Sequence, residues 1–337
     1  MLGRRTTLGL RYLNQTIDQY IHPFLKEWVI TDNLSGEADS IDIFLENSRK
    51  LWQGAWRPEQ GAVLVANINL LYWNGDVKIE KKPMGQFEID EFEIDPTGFR
   101  MGAITLPPTS KLRERHHRAW EKTRLETIME DIAKVNGLKL YYQTDDSPEI
   151  EREEQSGETD IEYLKKITED AGLTLKISRN TIVVIDEAKL EKAVAQRTIN
   201  AKDVNLKDFS LDESLSKQYR AAKVTYKNPK SKKTIRHTFV PPKAIRAGRT
   251  LVINEEVKNT AEAMRLTKKR LRAANKEACT GSFLFAGIRG YYAGMTVNVK
   301  GYGKFDGKYI VTKVRYSFSA ENGTETYIEV RRCLEGY

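Results

Sequence analysis

The chain has 337 residues, 40% of them hydrophobic and 30% charged, so it can bury a core and is long enough for two or three domains. No apolar run approaches the roughly 18 residues of a membrane-spanning helix; the richest segment, 64–73, is short and carries Asn67 and Asn69, which excludes such a span. Two cysteines, Cys279 and Cys333, exclude a disulfide framework, and 55 Lys+Arg against 47 Asp+Glu (net +8) permits a polyanionic partner without requiring one.

At the start of the chain, Arg4 and Arg5 precede Thr-Thr-Leu-Gly-Leu with no apolar segment or small-residue cleavage site, so no secretory leader is expected. The cysteine usage fits a protein made in a reducing compartment. Residues 24–105 read as β-rich, with strands at 24–30, 41–45, 62–72, 87–94 and 99–106. In 87–94 the alternation buries Phe87, Ile89 and either Phe92 or Ile94. It slips from odd to even positions around Asp90-Glu91, the signature of a bulge. Asn74-Gly75 and Thr97-Gly98 are turn signals, and Pro107-Pro108 ends this sheet.

The period then changes. Leu125, Ile128, Met129, Ile132 and Val135 recur at helical spacing, Asn136-Gly137 stops the helix, and 138–141 follows as a strand. Residues 145–157 read as an acidic, strand-poor linker. A second helix (Ile161, Leu164, Ile167, Ala171) ends at Gly172 and leads to strands at 173–177 and 182–185. Two helix–Gly–strand units make a small α/β domain. From about 198 the chain is β-rich again, with a hairpin of 221–226 and 234–240 around Asn228-Pro229. A basic helix at 259–277 has a narrow stripe of Met264, Thr267, Leu271, Ala274 and Ala278, and strands follow at 282–286, 296–299, 308–318 and 324–331.

One internal echo links the two β-rich parts. Gly61, Gly85 and Gly98 each open a strand, and Gly294, Gly307 and Gly323 repeat that order. The reading is α+β, mainly β: two related barrels or sandwiches at 1–110 and 198–337, bracketing an α/β insertion at 111–197.

Chemistry-bearing patterns are sparse. His22, His116, His117 and His237 show no metal-ligand spacing, and His116-His117 sit in the run Arg113-Glu114-Arg115-His116-His117-Arg118, read as a solvated helix face. Gly301-Tyr302-Gly303-Lys304 lies between strands with no helix after it, so it cannot cradle a phosphate as a nucleotide loop does. Glu88, Asp90, Glu91 and Glu93, and the acids of 149–154, alternate along a strand or crowd a linker instead of flanking a cleft as glycosidase carboxylates do. No catalytic, cofactor-binding or metal-binding residue is therefore assigned. Segment 217–276 holds 18 Lys/Arg but only Glu255, Glu256 and Glu262 as acids, whereas 145–170 holds 11 acids against Arg152, Lys165 and Lys166. The basic helix has no aromatic residue, so docking to acidic protein surfaces or self-association suits these patches better than sequence-specific nucleic-acid binding.

Six stretches, in order, carry a resemblance. They are Thr31-Asp32-Asn33-Leu34-Ser35-Gly36-Glu37-Ala38-Asp39-Ser40-Ile41-Asp42-Ile43; Gly85-Gln86-Phe87-Glu88-Ile89-Asp90-Glu91-Phe92; and Arg118-Ala119-Trp120-Glu121. Then come Glu154-Gln155-Ser156-Gly157-Glu158-Thr159-Asp160-Ile161-Glu162-Tyr163-Leu164, Tyr219-Arg220-Ala221-Ala222-Lys223-Val224-Thr225-Tyr226 and Lys269-Arg270-Leu271-Arg272-Ala273-Ala274-Asn275. Together they resemble the phage late control protein D family, the baseplate hub proteins of contractile tails, over nearly the whole chain. The segment 158–172 is also similar to the hub part of type VI secretion spike proteins.

The resemblance implies two tail-tube-like β-barrels with α/β insertions. It implies a homotrimer that binds a hexameric tail tube on one side and a trimeric spike on the other, among other baseplate subunits, with no membrane insertion. The place it implies is the baseplate of a virion or phage-tail-like particle, assembled in the bacterial cytoplasm. The role is structural and non-enzymatic; the alternative is a tail-associated peptidoglycan hydrolase. The appended lysozyme or needle domain of longer relatives is not seen, so wall degradation or piercing is expected to lie in another protein.

Overall fold

Strict alternation of apolar and polar residues converts most of this chain into strands. The clearest case is 63–71, where Leu64, Ala66, Ile68 and Leu70 are buried and the residues between them are partly exposed. The structure, a computed structural model, describes residues 5–72, 79–106, 109–144, 147, 149–178, 180–227 and 232–337. The expected turns at Asn74-Gly75 and Asn228-Pro229 and the break at Pro107-Pro108 lie outside the described residues.

In chain order the first elements are β1 (Arg5–Tyr12), β2 (Gln15–Thr16), α1 (Asp18–Ile21), β3 (Leu25–Asn33), β4 (Ser40–Leu45), β5 (Val63–Leu71), β6 (Glu80–Asp95) and β7 (Gly98–Ile104). Next come β8 (Arg115–Arg124), α2 (Leu125–Val135), β9 (Lys139–Gln143), β10 (Glu149–Thr159), α3 (Asp160–Asp170), β11 (Thr174–Ser178) and β12 (Thr181–Ile185). The remainder is α4 (Glu187–Lys192), β13 (Arg197–Asn200), β14 (Leu206–Glu213), β15 (Tyr219–Lys227), β16 (Thr234–Phe239), β17 (Arg249–Ile253), α5 (Thr260–Asn275), β18 (Cys279–Ala286), β19 (Thr296–Lys300), β20 (Gly307–Ser319) and β21 (Gly323–Arg332). The fold is α+β and mainly β. Among the described residues no closed barrel is present.

The chain divides into two compact units. Unit 1 comprises 1–185, 284–293 and 313–328; unit 2 comprises 186–283, 294–312 and 329–337. The division falls inside β18, β20 and β21.

In unit 1 the hydrogen-bonded order is β20–β3–β4–β7–β6–β5–β1–β2. The slip in β6 is a true bulge, with the β6–β7 register shifting between Ile89 and Glu91. It places Phe87 and Ile89 in the core, sets Phe92 against Phe99 with centroids 5.5 Å apart, and leaves Ile94 52% exposed. In the α/β segment, α2 and α3 lie against the sheet β11–β12–β9 through Ile128, Met129, Ile132, Leu164, Ile182 and Val184. Each such buried aliphatic side chain contributes about 1.5–3 kcal/mol.

Two expectations fail in this segment. Residues around His116-His117 form strand β8, not a helix, and most of 145–157 is strand β10, antiparallel to β8. The two strands make a ribbon with one covered face, so alternate residues can be strongly charged while Arg118, Trp120, Glu153 and Gln155 turn inward. Opposite charges face each other across it: Arg152 pairs in register with Glu121, and Arg124 lies 3.3 Å from Glu149.

In unit 2, β13 runs parallel to β19, which pairs antiparallel with β20; β14 borders β18. A separate sheet, β16–β15–β17, is covered on one face by α5. The buried stripe of α5 is Ala263, Thr267, Leu271 and Asn275. Thr267 and Leu271 are buried as expected, but the stripe steps by four, so Ala263 takes the place of Met264, which is 52% exposed, and Asn275 that of Ala274. Strands β1, β13, β14 and β17 were not anticipated.

The glycine echo is matched in hydrogen bonding. The Gly61 N–H donates to Ile89 O (2.8 Å) and the Ile89 N–H to Ala62 O (3.0 Å); the Gly294 N–H donates to Val311 O (2.8 Å) and the Val311 N–H to Met295 O (2.8 Å). Gly85 pairs with Ala66 and Gly307 with Val299, so both spacings and registers agree. All four glycines have positive φ (80°, 93°, 124° and 153°), a region closed to most side chains. β5–β6 and β19 with the first half of β20 thus share one hydrogen-bonding pattern.

Candidate functional site

The residues that carry chemistry are occupied in structural roles. His22 Nε2 lies 2.7 Å from Leu8 O, and His237 Nδ1 lies 2.9 Å from Thr267 Oγ1. His116 stands 3.9 Å from both Glu114 and Asp160, and the exposed His117 lies opposite Ser156 on the ribbon. No group of three His, Cys, Asp or Glu able to hold a metal is found among the described residues. At Gly301-Tyr302 the backbone amides already donate to the Asp306 carboxylate, at 3.1 and 2.6 Å. Burial pushes the Cys333 thiol up to about 12 and raises that of Cys279, so neither is an activated thiolate.

On the β3–β4–β7–β6 face, Asp42 and Glu91 stand on either side of Gly102 in an open depression of about 540 Å³, with Glu27, Glu93, Arg100 and Arg315 around them. Burial, then the neighbouring Glu91, raises the Asp42 carboxyl above its ordinary 3.8.

The quoted motif residues assemble into three networks. The first ties the β3–β4 turn to the α/β segment. Lys176 on β11 donates to Asp32 (2.5 Å), Asn33 O (2.6 Å) and the Asp39 carboxylate (3.1 Å); the Asn33 N–H donates to Asp39 (2.9 Å), and the Ala293 N–H to Asp32 (2.9 Å). The motif thus encodes an anchor. Burial raises the Asp39 carboxyl, against the pull of Lys176 and with a push from Asp32. A carboxyl raised in the folded state destabilises it while ionised, and that penalty fades as pH falls through the folded pKa. Lys176→Ala should therefore lower unit 1 stability by about 2 kcal/mol at neutral pH. Urea unfolding should show the deficit shrinking as the pH approaches 4; a pH-independent deficit would contradict this electrostatic account.

The second network explains the stretch 154–164. Gln155 and Asp160 are fully buried: Gln155 Nε2 (2.9 Å), Arg118 Nη1 (2.9 Å) and Asn136 Nδ2 (2.8 Å) all donate to the Asp160 carboxylate. Thr159 and Glu162 close a capping box at the start of α3. The third network, in unit 2, was missed in the sequence. Arg331 on β21 is 2% exposed and pairs with Glu187 and Glu191 of α4, which also receive Lys276 (3.1 Å) and Arg272 (2.6 Å). Burial alone would weaken the Arg331 proton, but the two carboxylates reverse this and hold it more firmly. The available signal was Glu187 and Glu191 at i, i+4 on a short helix after a strand.

With these geometries in hand, comparison with known proteins becomes decisive. The sequence description of the phage tail baseplate hub (GPD) family matches residues 90–322, more than half of the chain. The chain belongs to the phage tail baseplate hub family. It is thus a structural tail protein and not an enzyme. Among solved structures, this hub chain is similar to the 43 kDa tail protein of prophage MuSo2 from Shewanella oneidensis, with TM-score 0.76 and 16% identity over 98% of this chain and 99% of that one. The tail protein from Neisseria meningitidis MC58 gives 0.71 at 14% identity, covering 97% and 96%. An E. coli component of the type VI secretion system gives 0.59 at 11% identity, covering 93% and 75%. At these identities the likeness is one of fold. A search of the curated proteins finds no match.

Proposed function

We propose that this hub-family chain is a trimeric symmetry adapter, joining the hexameric tail tube to the central spike of a phage tail or phage-tail-like contractile injection system. The observation that carries the reading is the repeated module: Gly61–Ala62–Ile89 and Gly294–Met295–Val311 make the same hydrogen bonds, and Gly85 and Gly307 pair in the same register. One chain then offers two equivalent edges, and three chains offer six, which a sixfold ring can meet; the threefold arrangement of whole chains matches a trimeric spike. In this reading 1–110 and 198–337 serve as tube-like domains, 111–197 is the insertion between them, and assembly takes place in the bacterial cytoplasm.

Light scattering on the purified chain tests it. The expected result is a trimer, alone or with its spike protein, and six similar lobes in averaged images down the symmetry axis. A strict monomer that binds neither tube nor spike components overturns it.

A further inference from the structure

The fold sets part of the basic excess of 217–276 on the open face of one sheet. All three acids of that segment are engaged elsewhere. Glu255 receives the Arg270 guanidinium at 2.8 and 2.9 Å, Glu256 bonds the hydroxyl of Tyr226, which packs into the core under the helix, and Glu262 caps α5 and accepts from the Lys258 N–H at 2.6 Å. Among the described residues, the strands of β16–β15–β17 carry no carboxylate on the face away from α5. Lys223 and Lys227 from the central strand and Arg236 from β16 stand exposed there, with no ion-pair partner among the described residues. Register makes them one patch: Lys223 lies beside Thr238 and Val252, and Arg236 beside Thr225. Unscreened like charges this close repel one another, and a counter-charge relieves them.

The chemistry of the face selects the counter-charge. Tyr219, Tyr226 and Phe239 pack toward α5, so the open face has no ring on which a base could stack. Between the cations it offers the methyl groups of Thr225, Thr238 and Val252, the last 65% exposed, which a protein surface can cover. Part of the acidic stretch of this chain is engaged internally: Glu149 by Arg124 (3.3 Å), Glu158 by Lys166 (3.2 Å) and Asp160 by Arg118 (2.9 Å). We infer that the open face of the β16–β15–β17 sheet docks an acidic polypeptide surface of another tail subunit, with Lys223, Lys227 and Arg236 as its charged contacts. This rests on the hub reading, which places the chain among other baseplate proteins.

The test titrates the full chain with fluorescent poly-L-glutamate and, separately, with duplex DNA of equal charge. Lys223→Glu/Arg236→Glu should weaken poly-L-glutamate binding by about tenfold or more, whereas Arg265→Glu/Lys268→Glu, which reverses two exposed cations on α5, should change it little. The milder Lys223→Gln/Arg236→Gln pair should give a smaller loss in the same direction and guards against misfolding of the reversal variant. Equal losses from the sheet and helix variants would mean diffuse attraction and overturn the proposal. So would tighter binding of duplex DNA than of poly-L-glutamate with the same residue dependence. Light scattering on the same samples separates the two readings. A monomeric wild type removes the trimeric adapter and leaves the titration valid, while a trimer dissociated only by the sheet variants assigns the face to contacts between copies and overturns docking of another subunit.

Discussion

Arg331→Ala is expected to lower the stability of unit 2 by about 3–5 kcal/mol, because it strips the shared cation from two buried carboxylates. Glu187 and Glu191 are each 5% exposed, and Arg331 is the cation that reaches both. Without it, Arg272 still holds Glu191, as does the Leu334 N–H at 2.8 Å, and Lys276 still holds Glu187. Each carboxylate then keeps one cation where it had two, and the cavity left by the guanidinium faces oxygens that water reaches poorly, which is what makes removing the shared partner costly.

A companion variant isolates that cause. In Arg331→Met with Glu187→Gln, volume is nearly kept and the count of buried charges falls on both sides, so most of the lost stability should return. Because the five tryptophans all lie before residue 121, fluorescence is blind to this region. Hydrogen exchange in peptides covering α4, α5 and β21 is the suitable readout. Exchange rates in Arg331→Ala within about threefold of wild type would rule out the clamp as a major source of stability, since threefold is well under 1 kcal/mol.

The legible parts of the sequence were those where polarity reports exposure. The alternation of β4 to β7, the helical spacing of α2 and α3 and the bulge at Asp90-Glu91 all follow from one buried face per element. The failures share a physical reason. In β10, Glu149 and Arg152 look like part of a solvated linker because their answering charges, Arg124 and Glu121, lie on β8, 25 or more residues away. A one-dimensional pattern cannot see cross-strand neutralisation. Arg331 was hidden for a related reason: alternation along β21 gives no sign that an arginine can occupy an inward position when two glutamates of a distant helix receive it. For the candidate docking face, the cation count in 217–276 was visible in the sequence. That Glu255, Glu256 and Glu262 are all engaged away from the open face was not, because it depends on α5 folding back over β15.

Asp160→Ala should cost about 3 kcal/mol and loosen the joint between β10 and α3. The residue occupies the first position of α3, where a carboxylate favours the positive end of the helix dipole, and it is fully buried. Its loss leaves Arg118, Gln155 and Asn136 without their shared acceptor, and Asn136 is the residue that ends α2. One side chain therefore fastens the start of one helix, the end of the other and the ribbon behind them.

Thr159→Ala is the discriminating control. It removes only the capping box at the same helix terminus, which is worth about 1 kcal/mol, and leaves the buried carboxylate in place. If urea unfolding gives the two variants equal losses, capping and not the network holds α3. If Asp160→Ala costs at least twice as much, the charged network sets the geometry of the insertion. Trp120 stacks on Tyr163 of α3 with centroids 5.5 Å apart and an interplanar angle of 9°, so its fluorescence should shift in Asp160→Ala before global unfolding. That early shift would tie the acidic motif of the hub family to the packing of α3 against the ribbon.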